Sequence, residues 1–219
     1  MKIFLDTADI QSIAYWAQTG IIDGVTTNPS HMSKAGGNPL SVVKEICALL
    51  PDGEISVEIT EQDPEAVYNQ AREIAAISDN VLVKIPCHIR YYEVINRLQL
   101  DEVPLNITLV FSLAQGLMMS KLAVDYISPF VGRLDDIKEN GTELLFDLCA
   151  MRDEYDFETA ILAASIRDAR HFNEAIAAGV DAVTVPVNVL QEVTQHKLTD
   201  QGIEKFNADW AKLGIRKFP

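Results

Sequence analysis

The chain has 219 residues, 48% of them hydrophobic, and a formal net charge of -14 from 18 basic and 32 acidic side chains. That balance excludes a duplex nucleic-acid binder, which needs a basic face, and argues against docking on anionic lipid. The apolar share supplies a sizeable core and excludes a disordered chain.

No stretch approaches the ~18–20 apolar residues of a membrane span. Asp6 falls where the apolar core of a secretory signal would continue. Cys47, Cys87 and Cys149 form no CxxC pair and no zinc spacing with His31, His88, His171 or His196. They read as free thiols of a cytoplasmic protein.

Apolar runs and breakers alternate along the chain. Strands are expected at Ile3–Asp6, Gly24–Thr27, Ile55–Thr60, Val81–Pro86, Leu105–Val110, Asp125–Ser128, Ala160–Ser165 and Ala182–Val185. Amphipathic helices are expected at Ala8–Gln18, Pro39–Leu50, Pro64–Ile77, Ser112–Val124, Thr142–Asp153 and Asp168–Ala178. Asn38 and Asp63 are good N-caps, each followed by proline at the first helical position, and Gly179 suits a C-cap.

Alternating strands and helices imply βαβ units and a parallel sheet. Eight such units suggest a compact (β/α)8 barrel, somewhat below the ~250 residues typical of that fold. An open doubly wound sheet is the alternative, although no GxGxxG or Walker A loop follows any strand. Residues 1–219 read as one barrel domain, with 199–219 a C-terminal helical extension. Within that extension Thr199–Leu213 reads as a helix with Ile203, Phe206 and Trp210 on one stripe, which must be buried somewhere.

Side chains alternate faces along a strand. In Val81–Ile85 the wholly apolar face belongs to Val81, Val83 and Ile85, so Lys84 points into the barrel. The same reasoning sends Glu58, Asn106 and Thr108 inward. Asp6 ends the first strand, Ser128 and Phe130 share parity at the sixth, and Ser165 and Arg167 share parity at the seventh. Six strands thus aim polar groups at one place, near the C-terminal ends where barrel active sites lie.

This set lacks a metal-ligand cluster. A lysine among apolar neighbours is desolvated, which frees its amine to attack a ketone and form a Schiff base. Carboxylates at Asp6 and Glu58 could divide the proton transfers. Arg133 and Arg167 suit a phosphate through fork-like charged hydrogen bonds. The residues themselves therefore suggest a lysine-dependent aldol enzyme acting on a phosphorylated sugar.

Six segments carry a family resemblance: Phe4–Ala8, Val25–Ser30, Val83–Pro86, Asn106–Leu109, Ser128–Asp136 and Ala164–Arg167. Together they resemble the motifs of the transaldolase family, closest to the small single-barrel branch that includes fructose-6-phosphate aldolase. The resemblance covers nearly the whole chain. It implies that Lys84 attacks the C2 ketone of sedoheptulose 7-phosphate or fructose 6-phosphate. Asp6 would take the C4 hydroxyl proton as the C3–C4 bond breaks, leaving a dihydroxyacetone unit on Lys84. Glu58, with Thr108 through a water, would serve carbinolamine formation and breakdown. Asn28, Asn106 and Ser128 would hold the hydroxyls of the three-carbon unit, and Arg133, Ser165 and Arg167 the phosphate. The unit then passes to glyceraldehyde 3-phosphate or erythrose 4-phosphate, a step of the pentose phosphate pathway. No cofactor and no metal are implied. The family also forms homo-oligomers, decamers of two pentameric rings, with the C-terminal helix reaching a neighbour.

The family's aldolases carry Gln at the place of Glu58 and Tyr at the place of Phe130. This sequence has the transaldolase choices, so transfer is favoured over release of free dihydroxyacetone. His31, where an aliphatic residue is common, and Cys87–Tyr92 depart from the pattern and are expected on loops at the pocket mouth. The other readings are a catalytically silent sugar-phosphate-binding barrel and a phosphate-handling isomerase barrel.

Overall fold

A computed structural model describes residues 1–214. Eight parallel strands close into a barrel in chain order, and the eighth pairs with the first. They are β1 Lys2–Asp6, β2 Gly24–Thr26, β3 Glu54–Glu58, β4 Val81–Pro86, β5 Leu105–Val110, β6 Tyr126–Pro129, β7 Ala160–Ala163 and β8 Ala182–Val185. The expected (β/α)8 barrel is therefore the observed one, and the open sheet is not.

The helices begin where side chains can satisfy free backbone N–H groups. Asp9 caps α1 (Ile10–Ala17) and Asn28 caps α2 (Pro29–Ala35). Asn38 and Asp63 cap α3 (Pro39–Leu49) and α4 (Pro64–Ala75). A short 3-10 turn, Ile89–Tyr91, leads into α5 (Tyr92–Leu100). Ser112 caps α6 (Leu113–Lys121); α7 (Val131–Asp136) follows β6 without a side-chain cap. Asn140 and Asp168 cap α8 (Gly141–Tyr155) and α9 (Ala169–Ala178), and Gly179 closes α9 in the left-handed conformation, φ 78°. Beyond β8 lie α10 (Val187–Val193) and α11 (Lys197–Ala211).

Four helices go beyond the expected set. α2, α7 and α10 are short and follow β2, β6 and β8 at the C-terminal mouth. α5 buries Val94, Ile95 and Leu98 at helical spacing, a pattern obscured in the sequence by the polar residues around it. The C-terminal helix is present as α11, with no buried residue among its 15. Positions 215–219 of the expected extension lie outside the described residues.

The barrel has two apolar layers. Outward-facing Val25, Val57, Val83, Ile85, Ile107 and Ile127 pack beneath the helices. A separate inner cluster of Phe4, Leu82, Tyr126, Leu162, Ala164 and Ala182 plugs the barrel interior. Fully burying one such large side chain contributes about 1.5–3 kcal/mol. Towards the N-terminal end Lys2 Nζ donates to Glu54 Oε1 at 2.7 Å, and the Tyr126 hydroxyl donates to Glu54 Oε2 at 2.7 Å. The plug leaves the opposite half of the barrel for polar side chains.

Candidate active site

A cavity of about 140 Å³ opens above the plug. Asp6, Thr26, Asn28, Lys84, Ser128, Phe130, Arg133, Ala164, Ser165 and Thr184 line it. Parallel register places these groups together: Asp6 lies opposite Thr26, and Lys84 opposite both Glu58 and Asn106.

Lys84 is 5% exposed. Its Nζ donates to the Thr27 carbonyl at 3.2 Å and lies 3.2 Å from Glu58 Oε2. The inward-pointing Glu58 expected from strand alternation thus meets the amine, which is not desolvated by apolar neighbours alone. Residues of odd number on β4 do face the helices, but β3 presents a carboxylate in register with the lysine. The amine is tolerated at this depth because Glu58, itself only partly exposed, offers it an ion-pair partner. Glu58 also borders a larger cavity of about 740 Å³ bounded by α2, α3 and α4.

Asp6 accepts from the Thr26 hydroxyl at 2.9 Å, and His31 Nε2 lies 3.3 Å from the same Oδ1. Burial pushes the Asp6 carboxyl up, yet it ends below its usual range. The His31 hydrogen bond, the Lys84 and His31 charges and the Thr26 hydroxyl together outweigh burial.

Asn28 lines the cavity, and its Oδ1 accepts from His31 N at 2.9 Å as the cap of α2, which leaves its amide N–H groups as donors. Asn106 is fully buried behind the wall: it donates to Ser56 Oγ at 3.0 Å and accepts from Ser128 Oγ at 2.6 Å. Ser128 itself reaches the cavity. Thr108 is 1% exposed, and its hydroxyl has no protein hydrogen-bond partner. Phe130 forms part of the wall, with Phe111 at 5.8 Å between ring centroids and the Arg133 guanidinium 5.0 Å above its ring.

The end of β7 corrects the parity argument. The strand stops at Ala163, and Ser165 has φ 59°, a left-handed conformation that interrupts the alternation. Ser165 lines the cavity, whereas Arg167 turns outward, is half exposed and pairs with Asp136. Gly132 permits this packing: a Cβ there would come 2.5 Å from the Ser165 carbonyl oxygen and 2.6 Å from Arg167 Nε. His31 is likewise corrected, from a loop position to the first turn of α2. Cys87 is buried beside the Tyr92 hydroxyl at 3.9 Å, and all three cysteines are free.

Thr26 and Thr184 were not among the expected site residues. Their hydroxyls lie 2.6 Å apart beneath Asp6. Thr184 sits between the outward-facing Val183 and Val185, so the pattern that identifies Lys84 also points to it. Among the described residues no group of three or more His, Cys, Asp or Glu could hold a metal ion. No helix among them is long and apolar enough to cross a membrane.

The model of the Transaldolase/Fructose-6-phosphate aldolase family matches residues 3–216. A "Probable transaldolase" of Dehalococcoides mccartyi is 46% identical over 214 residues, covering 97% of this chain and 99% of that protein. A "Probable transaldolase" of a Hydrogenobaculum species is 43% identical over 218 residues and covers 100% of both chains. Among solved structures, thiamine phosphate pyrophosphorylase from Pyrococcus furiosus superposes with a TM-score of 0.60 at 16% identity, covering 84% of this chain and 85% of that one. At that identity the likeness concerns the fold alone. Matched along nearly its whole length, the chain belongs to the transaldolase/fructose-6-phosphate aldolase family.

Proposed function

We propose that the chain is a transaldolase that moves a dihydroxyacetone unit between sugar phosphates. The donor is sedoheptulose 7-phosphate and the acceptor glyceraldehyde 3-phosphate; the products are erythrose 4-phosphate and fructose 6-phosphate. The observation that carries this reading is the buried Lys84 amine beside Glu58, within a cavity that also exposes Asp6.

Glu58 takes a proton from the Lys84 ammonium, and the freed amine attacks the C2 ketone. Loss of water from the carbinolamine gives a protonated imine, which withdraws electrons from the adjacent carbon–carbon bond. The unpaired Thr108 hydroxyl suits a water that shares these transfers with Glu58. Asp6 accepts the C4 hydroxyl proton as the C3–C4 bond breaks, and the aldose phosphate leaves. The bound three-carbon enamine then attacks the acceptor aldehyde, Asp6 returns the proton, and water releases the product from Lys84.

The small cavity suits the three-carbon unit, with the rest of the sugar towards the mouth. Asn28 and Ser128 hold its hydroxyls, and Asn106 fixes Ser128. Arg133 and Ser165 take the phosphate; Arg167 joins them by releasing Asp136. Phe130 brings no donor to the enamine, so the intermediate waits for an acceptor.

The chain acts as one barrel domain with α11 as its extension, and as a homo-oligomer, a decamer in the family's manner. Supporting this, Leu198, Ile203 and Phe206 are all more than half exposed on α11. Three free thiols fit a cytoplasmic enzyme of the pentose phosphate pathway.

Borohydride reduction in the presence of fructose 6-phosphate, followed by peptide mass spectrometry, tests the chemistry. The expected result is a three-carbon adduct on Lys84. No adduct, or full activity in Lys84→Ala, overturns the reading. Donor turnover with and without acceptor aldehyde separates transfer from simple aldol cleavage.

A further inference from the structure

Asp6 is held from two sides. The Thr26 hydroxyl donates to Oδ1 from β2, and Thr184 on β8 supports Thr26 in turn. From α2, His31 Nε2 approaches the same oxygen at 3.3 Å. A carboxylate only accepts hydrogen bonds, so Nε2 carries the proton in this contact. Both donors reach Oδ1, which leaves Oδ2 to receive a proton from substrate. The imidazole is itself placed by the cap at Asn28, whose Oδ1 accepts from the His31 backbone at 2.9 Å. Asn28 thus couples the cavity wall to the turn that carries His31.

We propose that His31 is a positioning residue for the proton-transfer step, donating from Nε2 to Asp6 Oδ1 and orienting Oδ2 towards the substrate hydroxyl. The inference rests on the reading of Asp6 as the group that exchanges the C4 hydroxyl proton. His31 touches the carboxylate rather than the reacting atoms.

The test compares His31→Leu and His31→Gln with the unaltered protein, using kcat and KM for fructose 6-phosphate in the transfer reaction. His31→Leu is expected to lower kcat about tenfold, the loss of one charge-assisted hydrogen bond in the transition state, with KM within about twofold. His31→Gln retains a neutral N–H donor and is expected to keep kcat within about threefold. Both variants should still form the borohydride-trapped adduct on Lys84. If the leucine variant does not fold, His31→Ala is compared with His31→Gln in its place. An unchanged kcat in His31→Leu, or a kcat in His31→Gln that falls as far as in His31→Leu, overturns this inference and leaves the transaldolase reading intact. An unaltered protein that forms no adduct and transfers nothing overturns both.

Discussion

Lys84 and Glu58 face each other in register across β3 and β4, with Nζ 3.2 Å from Oε2. In the proposed mechanism the lysine must lose its third proton before it attacks, and Glu58 receives it. Glu58→Gln keeps size and hydrogen-bonding capacity but loses the base. The expected outcome is a fall of about 10²–10⁴ in kcat, in line with the loss of general acid–base catalysis. Stopped-flow measurement of imine formation should show the slowing at that step. A variant with unaltered imine formation would place the base elsewhere.

Phe130 lines the cavity with a ring that carries no hydrogen-bond donor. Phe130→Tyr puts a phenol hydroxyl at the ring's edge, able to position a water or a proton at the enamine. Free dihydroxyacetone released from fructose 6-phosphate without acceptor should rise several-fold, on the order of 1 kcal/mol in relative barrier. Coupled reduction of the released ketone gives the rate directly. The same release rate in both proteins would show that the ring does not control partition.

Asn106 joins Ser56 to Ser128 inside the barrel and is fully buried. Asn106→Leu leaves two buried hydroxyls without this partner, at a cost of about 1–3 kcal/mol each way the network is broken. Urea denaturation should show a lower midpoint with an unchanged m-value. Substrate KM should rise as Ser128 loses its fixed orientation.

The Asp6 carboxyl lies below its usual range because the hydrogen bonds and charges of His31, Lys84 and Thr26 overcome the upward push of burial. A group with a depressed folded-state pKa releases its proton more readily when folded than when unfolded. Its linked stabilisation is therefore present above the unfolded value, near 3.9, and fades as pH falls through the folded value. The stability difference between the unaltered protein and Asp6→Asn should accordingly shift against the unaltered protein as pH drops below about 4. Urea titrations from pH 7 to pH 3 measure that shift, and a constant difference would contradict the linkage.

Phe206 is 72% exposed on α11, in a helix with no buried residue. If that stripe packs on another copy of the chain, Phe206→Glu should lower the assembled mass in sedimentation equilibrium. The far-ultraviolet circular dichroism of the barrel should stay the same. A monomer in both proteins, or an unchanged assembly, would assign α11 another role.

The barrel and much of its site were legible because their pattern is local. Alternation along a strand has a period of two, so Val81, Val83 and Ile85 assign Lys84 to the interior without any knowledge of neighbouring strands. The same reasoning places Glu58, Asn106, Thr108 and Ser128. What the sequence could not decide were relationships between elements distant in the chain. The ion pair between Lys84 and Glu58 depends on the register of β3 against β4. Ser165 adopts a left-handed backbone that breaks the alternation, so the outward turn of Arg167 towards Asp136 had no local signal. His31 meets Asp6, 25 positions earlier in the chain with a helix and a strand between them, because an asparagine cap starts a helix at the barrel mouth. Sequence determined which side chains enter the barrel, since steric alternation is a property of the chain itself. Tertiary structure decided which of them meet, since contact requires strand register and loop conformation that short-range patterns do not encode.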